Sequence, residues 1–238
     1  MVSQLSLSVN LQDTARFDNF LVGHNAALLA QLEALAEAQA FQFIYLYGRA
    51  DAGKTHLLQA CDYAAQQCGR PRLYCPLAER QRHAEFLEQL AAVAHGLVCL
   101  DDVHQVLGDP AWEEALFHLF NRLREQGGQL VVSADVAPAH LPVQLADLAS
   151  RLAWGLTYQV QPLEDQAQFD ALVLRARQRG LALPDEVARY LLTRSPRRLS
   201  GLFALLDVLD EASLKEQRKL TIPFVRSALG WSHHREDD

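Results

Sequence analysis

Along the first two thirds of the chain, short apolar runs alternate with stretches in which apolar residues recur every three or four positions. The last third contains only the second kind. Phe43-Ile44-Tyr45-Leu46-Tyr47 is a continuous apolar, aromatic and β-branched run, the pattern of a strand buried on both faces. Similar runs at 71–77, 97–102, 130–135 and 157–160 predict four more strands. The two prolines in 71–77 make that strand short or an edge. Between the runs, helical spacing links Leu28, Leu29, Leu32, Leu35 and Ala36, and then Leu57, Leu58, Cys61, Ala64 and Ala65, with Gly69 as a stop. A helix of mixed polarity is expected over 79–92, with Phe86, Leu87 and Leu90 on one side. Asp109-Pro110 reads as an N-cap followed by proline at the first helical position. From there Trp112, Ala115, Leu116, Leu119, Phe120 and Leu123 trace one face as far as Gly127-Gly128. These aromatics read as core.

Strands alternating with helices predict a parallel sheet sandwiched by helices. Beyond the linker 161–164 the pattern is helical throughout. A helix over 164–179 carries Phe169, Leu172, Val173 and Ala176 inward and Arg175, Arg177 and Arg179 outward. Pro184-Asp185-Glu186 opens a second helix, and Ser195-Pro196 a third bearing Leu199, Leu202, Phe203, Leu206 and Leu209. Thr221-Ile222-Pro223 opens a short last one that stops at Gly230. The division expected is a tail over 1–10, an α/β domain over 11–162 and a small α-helical domain over 163–238.

Composition narrows the class. The 238 residues are 50% hydrophobic and 21% charged, which is globular. A net charge of −7 argues against a dominant non-specific nucleic-acid surface. There is no apolar run of spanning length and no signal-peptide layout, so a cytoplasmic protein without membrane contact is expected. Cys61, Cys68, Cys75 and Cys99 form no CxxC pair and read as reduced, buried small residues rather than zinc ligands. His83 and His95 lack metal spacing, and His233-His234 belongs to a polar end.

The chemistry concentrates after the first strand. Gly48-Arg49-Ala50-Asp51-Ala52-Gly53-Lys54-Thr55 satisfies G-x-x-x-x-G-K-[ST] between a strand and a helix, the context a phosphate-binding P-loop requires. Glycines allow the backbone to approach an anion, consecutive N–H groups and the helix N-terminus face the phosphates, Lys54 reaches them and the Thr55 hydroxyl ligates Mg²⁺. Ala50, Asp51, Ala52 and His56 complete the lining expected for a nucleoside-phosphate site. The strand 97–102 ends in Asp101-Asp102. In this arrangement, known as Walker B, Asp101 holds Mg²⁺ through waters and Asp102 orients or deprotonates the attacking water. The bland alternatives are a glycine-rich turn and a strand capped by two solvated acids.

Several segments carry a resemblance. Phe17-Asp18-Asn19-Phe20-Leu21-Val22-Gly23 resembles the F-x-N-F-V-x-G segment that lines the base side of the nucleotide in the bacterial replication initiator DnaA and its relatives. The polar end of Leu130-Val131-Val132-Ser133-Ala134-Asp135 matches their sensor-1 position, carried here by Ser133. Asp147-Leu148-Ala149-Ser150-Arg151-Leu152-Ala153-Trp154-Gly155-Leu156 closely resembles their box VII, with Arg151 after a Ser-capped helix in the place of an arginine finger. Arg197 falls where the family has its sensor-2 arginine. Gln4-Leu5-Ser6-Leu7 reads alone as an ordinary N-terminal strand, but in this company it resembles a sliding-clamp-binding peptide.

The resemblance spans almost the whole chain and is to DnaA-related AAA+ proteins, in particular those that inactivate the initiator after replication begins. It implies an AAA+ fold with a lid, and bound ADP or another nucleoside diphosphate, with ATP possible, together with Mg²⁺. Phe17, Phe20, Val22, Ser133 and Arg197 would join the P-loop in holding the nucleotide. The implied partners are the DNA polymerase III β sliding clamp, the DnaA initiator and a second copy of the chain in a dimer. DNA would be reached only through the clamp, because no helix-turn-helix module follows the lid. Arg151 would complete the initiator's site in trans, leaving weak or no ATPase of the chain's own. The competing expectations are an autonomous ATPase of helicase-loader or clamp-loader type, and an adaptor whose nucleotide never turns over.

Overall fold

A computed structural model describes residues 15–38, 40–78, 96–195 and 198–231. The expected clamp peptide, the helix over 79–92, His83, His95, Arg197 and His233-His234 lie outside the described residues. Two compact units meet between Pro162 and Leu163.

In the first unit, helix α1 (Ala26–Ala34) precedes strand β1 (Gln42–Tyr47). Helix α2 (Lys54–Gln67) and strands β2 (Arg72–Pro76) and β3 (Leu97–Asp101) follow, and helix α3 (Pro110–Gln126) leads to β4 (Gln129–Ala134). Helix α4 (Ala146–Trp154) and β5 (Leu156–Gln159) close the unit. All pairings are parallel and the strand order is β2-β3-β4-β1-β5. β2 is an edge, as its prolines require. Alternation along the strands sorts the core into two layers. Phe43, Tyr45, Val98, Leu100, Leu130 and Val132 face α3 and α4, burying Trp112, Leu116, Leu119, Phe120, Leu123, Leu148 and Leu152. Ile44, Leu46, Cys99 and Val131 face α1 and α2, against Leu28, Leu32, Leu57, Leu58 and Cys61.

Local signals set the element ends. Asp109 Oδ1 accepts from the Ala111 N–H to start α3, and Gly127 ends it in the left-handed region at φ 73°. β5 starts at Leu156, one residue earlier than the apolar pattern indicates. Three further details depart from expectation. Ser150 lies inside α4 rather than capping it; the flanking residue at that helix start is Leu145. Cys68 is exposed at the C-cap of α2, whereas Cys61 and Cys99 are buried. The third helix of the second unit begins at Leu199, with Arg198 as its N-cap residue, rather than at Ser195-Pro196.

The second unit comprises α5 (Asp165–Gln178), α6 (Asp185–Arg194), α7 (Leu199–Glu216) and α8 (Ile222–Ala228). Leu172, Ala176, Val187, Leu191, Leu202, Leu206, Leu209 and Phe224 form its core. Not all its arginines are solvated, as the sequence pattern suggested. Arg175 is partly buried with its guanidinium 5.4 Å from the Phe203 ring centroid, and Arg189 covers Phe169 at 4.7 Å. No described helix is long and apolar enough to cross a membrane, and no described group of His, Cys, Asp and Glu could hold a metal ion by itself.

A buried polar hub closes the end of the sheet opposite the P-loop. Gln129 Nε2 reaches the carbonyls of Gly127 at 3.0 Å and Ala40 at 3.1 Å, while Oε1 accepts from Arg70. Arg70 also donates to the Leu35 carbonyl at 2.8 Å. Substituting Gln129→Ala takes this donor from the Gly127 and Ala40 carbonyls and is expected to cost about 1–3 kcal/mol, read as a lower urea midpoint with unchanged slope. An unchanged midpoint would show the hub to be dispensable.

Candidate nucleotide site and the arginine helix

The P-loop runs from the C-terminal end of β1 into α2. Gly53, the residue before the helix, has φ +100°, and a Cβ there would stand 2.9 Å from Phe20 Cε2. Glycine is therefore required both for the backbone conformation and for the ring lying against it. Asp51 also takes a left-handed conformation, at φ 61°. Ala50 is exposed, Asp51 partly so, and Ala52 is buried beneath the loop; Thr55 stands exposed in the first turn of α2. His56 packs against Phe20 with ring centroids 5.5 Å apart, and its Nε2 is 3.1 Å from the Arg16 carbonyl. Phe17 and Phe20 pack on the α1/α2 core layer, and the Val22 carbonyl accepts from the Asn25 N–H at 2.8 Å. The segment 17–25 is thus folded against the P-loop.

Lys54 is the electrostatic centre. It is only 7% exposed. Its ammonium donates to the carbonyls of Gly48 at 2.8 Å and Arg49 at 3.2 Å, and it forms no ion pair among the described residues. A buried cation whose partners are all neutral is costly, and it suits an incoming anion such as a phosphate.

Across the crevice, both oxygens of the buried Asp101 carboxylate are engaged. Oδ1 accepts from the Ser133 hydroxyl and Oδ2 from the Tyr74 hydroxyl at 3.0 Å. Ser133 Oγ in turn accepts from the Asp102 N–H at 2.8 Å. Asp102 has a left-handed backbone. Burial, and then the Asp101 charge, push its carboxyl above the usual range, with Lys54 and His104 opposing. The residues fit a magnesium-bearing phosphate: one buried cation, a hydroxyl at the helix start, and a fixed carboxylate with lone pairs left for metal-bound water.

The expected sensor residue behaves differently from its sequence reading. Ser133 is fully buried with its hydroxyl committed to the Asp101 carboxylate and the Asp102 N–H, so in this structure it joins that carboxylate to the backbone of the next residue. The exposed acid at that strand end is Asp135, whose Oδ1 is 3.6 Å from His104 Nδ1. Reading the sequence also missed Tyr74 and Asn25. The Asn25 side chain donates to the Gln161 carbonyl at 3.0 Å and accepts from the Gln161 N–H at 2.8 Å, tying the segment after Phe20 to the end of the first unit. Neither residue stands in a motif. A polar residue inside an apolar run (Tyr74) and an asparagine before a helix (Asn25) were the only signals.

Arg151 lies elsewhere. It is on α4, half-buried, with its guanidinium 5.7 Å from the Phe120 ring centroid and no ion pair among the described residues. Phe120 packs edge-on against Phe41 and Phe43, and Trp154, 60% exposed, stacks on Phe41. At Gly155 a Cβ would sit 2.7 Å from the Phe43 carbonyl, so α4 closes tightly onto the start of β1. The P-loop leaves the other end of that six-residue strand at Gly48, about 16 Å along the strand from Phe43 at about 3.3 Å per residue.

A P-loop following β1, a carboxylate at the end of β3 with β4 between them, and a separate helical unit define an AAA+ ATPase module. The sequence model of the bacterial DnaA ATPase domain matches residues 11–159, and that of the Hda lid domain matches residues 165–229. The chain belongs to the bacterial DnaA ATPase family and carries a lid of the Hda type. Domain III of the Thermotoga maritima replication initiation protein DnaA is similar in fold, with a TM-score of 0.75 at 24% identity over 91% of this chain and 95% of that one. AMPPCP-bound DnaA from Aquifex aeolicus gives 0.67 at 27% identity, over 87% and 71%. DnaA bound to AMPPCP and single-stranded DNA gives 0.68 at 25%, over 87% and 69%.

The unpaired cation makes a prediction of opposite signs. Lys54→Met should leave the ligand-free protein as stable or slightly more so, because a buried charge held by carbonyls and by no ion pair among the described residues is replaced by an apolar chain, which outweighs the lost attraction to Asp102. The same variant should lose the rise in melting temperature that ADP and Mg²⁺ give the parent chain. Thermal melts with and without ADP read both; a destabilised ligand-free variant with an intact ADP response would refute the assignment.

Proposed function

We propose that this chain is a nucleotide-bound regulator of replication initiation that docks on the sliding clamp and stimulates ATP hydrolysis by the initiator, with Arg151 supplied in trans. The observation that carries the reading is the seat of Arg151: its guanidinium lies on Phe120, in the aromatic cluster with Phe41 and Phe43 at the start of β1, whereas the P-loop follows the end of that strand. A guanidinium at the far end of β1 cannot serve the phosphates held beside Lys54. It lies instead on a half-exposed surface with Trp154 and Leu156, available to another subunit.

The present seat of Arg151 on Phe120 is compatible with that role on magnitudes. A cation–π contact at a partly exposed site stabilises by about 0.5–1 kcal/mol. A finger completing a neighbour's site is worth about 10³–10⁵ in rate, or roughly 4–7 kcal/mol of barrier. Leaving the ring therefore costs a small part of what the interface returns. A fixed cation aimed at charge developing on the transferred phosphoryl group acts mainly in the transition state.

Within the chain, Lys54, Thr55, Asp101 and the segment bearing Phe17, Phe20 and Val22 would hold ADP or another diphosphate with Mg²⁺, and Arg197 would approach from the lid. The relatives caught with AMPPCP support an adenine nucleotide. This ligand would set the chain's shape and its pairing with a second copy, in the cytoplasm, with DNA approached through the clamp. Asp101 and Asp102 beside an intact P-loop favour a second reading, an autonomous ATPase of loader type; substantial turnover by the isolated protein would support it.

The deciding assay follows hydrolysis of initiator-bound ATP in the presence of clamp and DNA. Arg151→Ala should abolish the stimulation while clamp retention and ADP binding persist; undiminished stimulation would remove Arg151 from the mechanism. Deleting residues 1–8 should abolish retention on clamp-loaded DNA, and unchanged retention would dispose of the clamp peptide.

A further inference from the structure

We propose that Glu113 is the positioning residue for Arg151, anchoring α4 at the angle from which the guanidinium is presented. The inference rests on the finger reading given above. Glu113 is 1% exposed, yet its carboxylate meets no cation among the described residues. It is satisfied by backbone alone. Oε1 accepts from the Gly108 N–H at 2.8 Å, and Oε2 from Gln144 N–H at 3.0 Å and Leu145 N–H at 2.7 Å. The Gln144 side chain adds a bond to the Gly108 carbonyl at 3.3 Å.

The Gln144 and Leu145 donors lead directly into α4, whose start is Leu145-Ala146. A carboxylate there compensates the positive end of the helix and takes up N–H groups that the helix leaves unbonded. α4 itself has little else to orient it. It is nine residues long, and only Leu148 and Leu152 are buried. Two fixed points therefore set its direction: Glu113 at the N-terminus, and the close approach of Gly155 to the Phe43 backbone at the other end.

The geometry of α3 strengthens the assignment. Glu113 and Phe120 are seven residues apart on one helix, which places them on the same face. One carries the start of α4, and the other carries the Arg151 guanidinium. Gly108 ends the turn that begins at Asp102, so the same carboxylate joins the segment following the Asp101-Asp102 pair to the arginine helix. Glu113→Gln keeps the shape but replaces an acceptor oxygen with an N–H₂ group facing backbone donors, which loosens α4 without touching Arg151.

The test uses the full chain with clamp, DNA and ATP-bound initiator. Glu113→Gln should lower the stimulation at least about tenfold, since a displacement near 1 Å can cost about 10²-fold in a positioned reaction. ADP binding and clamp retention should be unchanged. The double variant Glu113→Gln/Arg151→Ala should be no worse than Arg151→Ala alone. Hydrogen exchange should show lost protection confined to peptides covering Gly108 and 141–155, with β1 and α2 still protected. Full stimulation by Glu113→Gln, or additive losses in the double variant, would overturn the proposal. Exchange in the parent chain guards against a variant that does not fold: Gln144 and Leu145 amides should be protected like core amides, and loop-like exchange there overturns the proposal. If Arg151→Ala alone leaves stimulation intact, the finger reading fails, while the exchange result reports separately on the anchor.

Discussion

One constraint governs the site: β4 lies between the strand that carries the P-loop and the strand that carries the carboxylates. Lys54 and Asp101 are therefore separated by a full strand, and something on β4 must hold the acid steady. Ser133 does so, joining the Asp101 carboxylate to the Asp102 N–H through one buried hydroxyl. Tyr74, from the edge strand β2, holds the other carboxylate oxygen. The crevice is thus lined by a buried cation that forms no ion pair among the described residues on one side and a braced acid on the other. That asymmetry is what a phosphate accompanied by a divalent cation requires.

The same parallel order separates two clusters along the sheet. Parallel strands put all their C-terminal ends on one edge, where the P-loop, Asp101, Asp102 and Asp135 gather. The N-terminal ends form the opposite edge, where Phe41, Phe43, Phe120 and Trp154 make an aromatic cluster and Arg151 rests on it. One end gathers the P-loop lysine and the two carboxylates, and the other carries the aromatic cluster with Arg151 on it. Gln129 and Arg70 hold that second edge by hydrogen bonds that no apolar substitution could replace.

Much of the fold was legible because its signals are local. Five apolar runs became five strands, Asp109-Pro110 started a helix, and Gly127 stopped one. The proline-bearing strand proved to be an edge, since proline lacks the N–H that a central strand needs. Boundaries moved where the decisive contact was distant. Ser150 looked like a cap because serine favours that position, but the start of α4 is satisfied by Glu113, more than thirty residues upstream. Cys68 looked buried because it falls within a helical pattern, yet it is exposed at the end of α2.

The P-loop octet and the strand-ending acids could be read from the chain alone, because an anion-binding loop needs glycines at fixed spacing and its chemistry lies in consecutive backbone groups. What the chain alone could not determine is which side chains meet across the sheet. Ser133 on Asp101, Tyr74 on its second oxygen, Asn25 on Gln161 and Glu113 beneath α4 join residues between 27 and 136 positions apart. No period or motif encodes such pairs. They are set when the strands take their order and the two helical layers close over them, since a buried polar atom must find its partner in whatever the packing brings near.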